Sequence, residues 1–114
     1  MKIEELEEYK KDIKKLSKKY RTLTEDMAVV KKVLTVNLNE RPPFSFRIDN
    51  LGIKTCVITV KKIASKSFKG KSVNSGFRLI YAHFEDENRI VLIELYHKSK
   101  QEIEDKDRIN KYFK

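Results

Sequence analysis

The chain is predicted to be an α+β domain: an N-terminal helical hairpin packed on a small, mostly antiparallel β-sheet, closed by a short C-terminal helix. Three observations predict it. Apolar residues recur at helical spacing near the N-terminus, with Leu6, Tyr9, Ile13, Leu16 and Tyr20 standing 3, 4, 3 and 4 apart. β-branched runs follow from Cys56 onward. The 114 residues, with only three glycines and two prolines, suit one modest core over residues 1–114.

The first helix covers residues 4–20, with lysines on its outward positions. Alternatively, Met1–Leu6 opens the chain as a short strand and the helix begins near Glu7. Thr22-Leu23-Thr24-Glu25 matches a capping box, and Glu25 and Asp26 suit the positive end of a helix dipole. Met27, Val30, Val33/Leu34 and Leu38 form the buried face of this second helix, and Pro42-Pro43 ends it. The short connection makes the two helices an antiparallel hairpin. Residues 44–55 read as an irregular link with a turn at Asp49-Asn50-Leu51-Gly52. Residues 56–63 read as a strand, and Ala64–Ser75 as a basic loop. Residues 77–84 and 89–96 are paired strands around the polar turn 85–88. Residues 101–113 form the closing helix.

Charge sharpens the reading. The net charge is +9, but residues 10–21 alone carry +6, and residues 61–78 carry +6 with no acid among them. Clustered cations attract polyanions by releasing counterions condensed on a phosphate backbone. The alternative is an ordinary solubilising surface. No stretch approaches the ~20 apolar residues of a membrane span. The N-terminus lacks the apolar core of a secretory signal. Cys56 is the only cysteine, so no intramolecular disulfide or cysteine-based zinc cluster is expected. Together these point to the cytoplasm and away from a membrane.

Candidate chemistry centres on two residues. If opposite residues of the 77–84/89–96 hairpin sum to 173, Arg78 faces Leu95, and Arg78 and His97 become diagonal neighbours on one face, roughly 7–8 Å apart. That face also carries Ile80, Ala82, Val91 and Ile93, which should be core. The ordinary alternatives are an ion pair of Arg78 with Glu94 or Glu102, and a hydrogen bond from His97 to backbone. Two histidines and scattered carboxylates support no metal site. Gly70 and Gly76 make no phosphate-binding loop. Cys56 reads as a small apolar strand residue. Tyr81, Tyr96 and Phe77 can stack on bases or serve the core.

Ser75-Gly76-Phe77-Arg78-Leu79-Ile80-Tyr81, followed by a polar turn, a β-run and Tyr96-His97-Lys98-Ser99, resembles the RelE/ParE superfamily of toxins from bacterial toxin–antitoxin modules. The lysine-rich Lys14–Tyr20 helix and the Thr24-Glu25-Asp26 helix start fit the same family. The resemblance implies a helical pair on one side of the sheet and a basic concave site on the other. RelE-like members are ribosome-dependent messenger RNA endonucleases that inhibit growth. ParE-like members instead inhibit DNA gyrase. A third possibility is an RNA-binding module without catalysis.

The nuclease chemistry implied by the resemblance needs no metal and no cofactor. The ribose 2′-hydroxyl attacks the adjacent phosphate and leaves a 2′,3′-cyclic phosphate. Such a reaction needs a base for the 2′ proton, a cation for the phosphorane and an acid for the 5′ oxygen. Arg78 matches the family's strand arginine, whose fork grips phosphate oxygens. Lys69 and Lys71 match its paired lysines, as clamps or, with depressed pKa, a base. His97 and Lys98 occupy the strand end, where relatives carry an acid that is arginine, tyrosine or histidine. Lys61, Lys62, Lys66, Lys69, Lys71 and Tyr81 are then RNA-binding candidates. The implied partners are the ribosome with its messenger RNA and an acidic antitoxin. Tyr9, Ile13, Leu16 and Tyr20 are the candidate antitoxin contacts.

Overall fold

The computed structural model of the protein describes residues 1–36, 41–49, 51–67 and 75–114. Strand β1 (Lys2–Glu5) is followed by α1 (Glu7–Ser17) and α2 (Leu23–Val36). Strands β2 (Ser45–Arg47), β3 (Cys56–Val60), β4 (Phe77–Phe84) and β5 (Arg89–His97) come next, then α3 (Lys106–Phe113). The strands form one sheet in the order β1-β5-β4-β3-β2. All pairings are antiparallel except β1 with β5. Of the two readings of the N-terminus, strand-then-helix is the observed one. Leu6 stays extended (φ −66°, ψ 152°), and Glu7 and Glu8 fill the first turn of α1, where the free N–H groups favour acids.

Three expectations need correction. The link 44–55 contains β2, whose Phe46 lies opposite Thr59. The closing helix begins at Lys106, not near Gln101. Glu94 draws the preceding residues out of helical geometry by accepting from the Gln101 side chain (2.8 Å) and the Asp105 N–H (2.8 Å). Asp105 then caps the helix by accepting from the Arg108 N–H (3.1 Å). The capping box at Thr22 is replaced by a tertiary arrangement. The Thr22 hydroxyl donates to the Asp26 carboxylate (2.9 Å), and its N–H donates to Ser67 Oγ (3.4 Å). Leu38 lies outside the described residues.

Strands buried on both faces divide the core in two. On one face α1 and α2 cover Ile58, Val60, Leu79, Tyr81, Leu92 and Leu95. On the other, Val57, Ile80, Ala82, Val91, Ile93 and Tyr96 pack with Ile109 of α3. Tyr9 is completely buried in the first layer, with Ile13, Leu16 and Tyr20 packed against it. The apolar stripe of α1 is therefore spent on the protein's own core. No helix among the described residues is long and apolar enough to cross a membrane.

The β4–β5 hairpin turns through a 3₁₀ turn at Glu85–Glu87 and a left-handed Asn88 (φ 49°). Its register follows the expected sum of 173 from Phe84/Arg89 to Tyr81/Leu92, then slips by one residue between Ile80 and Tyr81. Ile80 pairs with Glu94, Arg78 with Tyr96 and Phe77 with His97. Ile93 is the extra residue of a β-bulge, and beyond it every side chain of β5 changes face.

Candidate functional site

The bulge decides what surrounds Arg78. Because strand neighbours alternate between faces, Arg78 and its partner Tyr96 lie on the α3 face, whereas Phe77 and His97 lie on the helical-pair face. The diagonal Arg78–His97 pair expected from a regular hairpin is absent. Tyr96 takes that place, a residue considered from sequence only as a stacking or core aromatic.

Arg78 is half-buried. Its Nη1 donates to the carbonyls of Lys61 (3.0 Å) and Phe77 (3.2 Å). Two main-chain acceptors thus orient the guanidinium, and among the described residues no acceptor takes its Nε or Nη2 hydrogens, which suit an oxyanion. Tyr96 across the strand pair is 8% exposed. Burial pushes its phenol up to about 12, with Glu104 and Glu94 adding to the rise and Arg78 opposing it. It therefore remains a proton donor at neutral pH. Glu94, 3% exposed, lies on the same face, and burial raises its carboxyl above the usual range. Its oxygens are committed to Gln101 and Asp105. Lys61 extends its ammonium over the Phe46 ring, 5.1 Å from the centroid, and Lys62 is exposed beside it.

His97 performs a different task. The Ser99 N–H donates to its Nδ1 (3.1 Å), so the ring proton sits on Nε2, which donates to the Ser75 carbonyl (2.9 Å). Ser75 in turn holds Ile63, donating from Oγ (2.6 Å) and from N–H (3.2 Å) to the Ile63 carbonyl. The two ends of the basic segment are tied together there, with His97 as the buttress. Tyr20 stacks on the imidazole at 5.8 Å, and Phe77 meets it edge-on at 5.0 Å. Gly76 is obligatory at this junction. Its φ is +95°, and a Cβ would stand 2.7 Å from His97 Nε2. Lys98 is exposed, and its N–H donates to the Gly76 carbonyl (2.9 Å).

The front of the basic segment is pinned by buried Asp26. This carboxylate accepts from Ser65 Oγ (2.6 Å) and the Lys66 N–H (3.2 Å). The exposed Lys66 ammonium pairs with Glu25 at 3.6 Å, so one of the expected RNA contacts is partly neutralised. Lys69 and Lys71 lie outside the described residues. Tyr81 is completely buried, so its ring faces the core and offers no platform for a base. Tyr9 is likewise sealed in the core, which removes it from any partner surface. Leu16 and Tyr20 are half-buried at a cleft edge. Ile13 packs inward.

Among the described residues no group of three His, Cys, Asp or Glu is gathered to hold a metal. Comparison with protein-family models, with curated proteins and with solved structures returns no match.

Proposed function

We propose that the chain is an RNA-cleaving toxin of the RelE type, acting on messenger RNA at the ribosome and held in check by an acidic antitoxin. The pairing of Arg78 with Tyr96 at the sheet end, where the acid-free basic segment departs, is the observation that carries the reading. The resemblance around Ser75-Gly76-Phe77-Arg78 supplies the reaction class. The 2′ oxygen forms a bond to phosphorus, the bond to the 5′ oxygen breaks, and the 2′ proton leaves to a base while the departing oxygen gains one. Arg78 stabilises the extra charge on the non-bridging oxygens through its Nε and Nη2 hydrogens. Tyr96, kept protonated by burial, supplies the proton to the 5′ oxygen. Lys69 and Lys71 retain the clamp-or-base role implied by the resemblance. His97, with both ring nitrogens bonded, acts through the loop it supports.

A second reading is a ParE-like topoisomerase inhibitor without nuclease activity. It is favoured by the engagement of His97 away from Arg78, which removes one proton carrier from that face. Induced expression followed by mapping of transcript ends separates the two. The nuclease reading expects 2′,3′-cyclic phosphate ends within translated messages, lost in a folded Arg78→Ala variant. Intact messages with altered plasmid supercoiling would overturn it in favour of the inhibitor.

A further inference from the structure

A cleft of about 500 Å³ opens between the C-terminal half of α1 and the end of β5, at the edge of the sheet, where Tyr96 from the Arg78 face and His97 from the other both line it. Its rim carries Lys15, Lys19 and Lys100, all exposed, and its floor is Leu16, Tyr20 and Leu95. The one acid in its wall, Asp12, is already neutralised by Arg108, with Nη1 2.7 Å from Oδ2. None of the three lysines pairs with a carboxylate among the described residues. Lys19 instead lies 5.4 Å from the Tyr20 ring centroid.

We propose that this cleft is a nucleotide subsite for single-stranded RNA, with phosphates along the lysines and a base against Tyr20 and Leu16. Lys15 on α1, Lys19 in the turn after it and Lys100 after β5 come from three separate segments and stand round one cleft. Three exposed cations without carboxylate partners among the described residues suit a polyanion, and each neutralised phosphate returns counterions to solvent. Beside them Tyr20 rests one face on the His97 imidazole and lies under the flexible Lys19 side chain on an apolar floor; single-strand binding grooves combine these two elements, cations for the backbone and an aromatic ring for a base. The volume fits one nucleotide rather than a folded segment. The subsite stands whether or not the Arg78 face cleaves RNA. It gives the protein a second grip on a strand or on ribosomal RNA.

The test uses a fluorescein-labelled 2′-O-methyl oligouridylate, which lacks the attacking hydroxyl, so binding is read without cleavage. Anisotropy titrations over a range of salt compare the full chain with Lys15→Gln/Lys19→Gln and with a control, Lys54→Gln/Lys114→Gln. The cleft double variant is expected to bind about tenfold more weakly, and its salt slope to shrink by about two. The control keeps the original slope. Tyr20→Phe preserves affinity while Tyr20→Leu, checked for folding by thermal melt, loses about tenfold. Equal losses in both double variants would reduce the effect to net charge and overturn the subsite. Competition by polyglutamate as effective as by the oligonucleotide would overturn it in favour of an acidic-peptide groove. Arg78→Ala retains cleft binding, so a failed nuclease reading and a failed subsite give different results.

Discussion

Asp12 on α1 and Arg108 on α3 grip each other past the point where β1 stops, with Nη1–Oδ2 at 2.7 Å and Nη2–Oδ1 at 3.3 Å. The same groups serve the backbone of β5. Asp12 Oδ2 accepts from the Leu95 N–H (3.1 Å), and Arg108 Nη1 donates to the Ile93 carbonyl (2.9 Å). One ion pair thus satisfies main-chain groups at and just after the bulge, beyond the residues that β1 pairs.

Removing either partner leaves a charge and a backbone group unsatisfied together. Asp12→Ala and Arg108→Ala should each destabilise by about 2–4 kcal/mol. The double variant should cost clearly less than the sum, because the second deletion removes the charge that the first one stranded. Urea titrations of the four-member cycle measure this, with amide exchange at Leu95 as the local reporter. Strict additivity would show that the two residues act separately.

Gly76→Ala should destabilise by about 2–3 kcal/mol, from the positive φ and from contact with the imidazole. His97→Ala should cost about as much through lost packing and two lost hydrogen bonds. In the His97→Ala background the glycine substitution should become cheaper, because only the backbone strain remains. An unchanged cost there, read from denaturation midpoints, would refute the close approach of the two residues.

Glu94 carries a pH signature. Burial raises its carboxyl above the usual value near 4.5, with Asp12 acting in the same direction and Arg108, Gln101 and the Asp105 N–H acting against it. The folded chain therefore holds this proton more tightly than the unfolded chain does. Its contribution to stability is fully present below the unfolded value and declines as pH rises through the raised folded value. Glu94→Gln keeps an oxygen for the Asp105 N–H and cannot ionise. Its stability relative to the parent should rise with pH across the mildly acidic range. Parallel denaturation curves through that range would contradict the assignment.

On the proposed reaction, Tyr96→Phe should keep the fold and lower cleavage by about 10²–10⁴-fold, the span of a lost general acid. His97→Gln should act mainly on stability. Single-turnover cleavage on programmed ribosomes checks both, and full activity in Tyr96→Phe would move the acid elsewhere.

Much of this was legible in the residues. The 3-4 spacing on α1, the acidic start of α2 and the three long β-branched runs are local signals, and local physics honours them. The Ser75-Gly76-Phe77-Arg78 stretch was visible as a unit, and each of its residues has a distinct task at the junction of β4 with the basic segment. The bulge was not legible. Ile90-Val91-Leu92-Ile93 is apolar at every position because both faces of β5 are covered, so no alternation survives to reveal a slip. Glu94 was the available clue, a charge inside an otherwise apolar strand. Its partners, Gln101 and Asp105, come from the irregular connection before α3, a stretch that reads from sequence as helix. The misplacement of His97 follows from that single residue. Tyr81 and Tyr9 were misassigned to surfaces for a related reason, since periodicity shows which side of an element is apolar but not how deeply it is covered.

The parallel pairing of β1 with β5 sets a timetable for synthesis. Lys2–Glu5 leaves the ribosome early yet has no strand to join until residues 89–92 have followed. Tyr9 and Leu16 wait equally long for Leu92 and Leu95 to cover them. The growing chain must therefore carry β1 unpaired, and the sheet-facing side of α1 uncovered, until β5 has been made. In that interval the lysines at 10–21 keep the exposed stripe charged along its flank and so oppose clumping of nascent chains, a service finished before the folded protein has met any target.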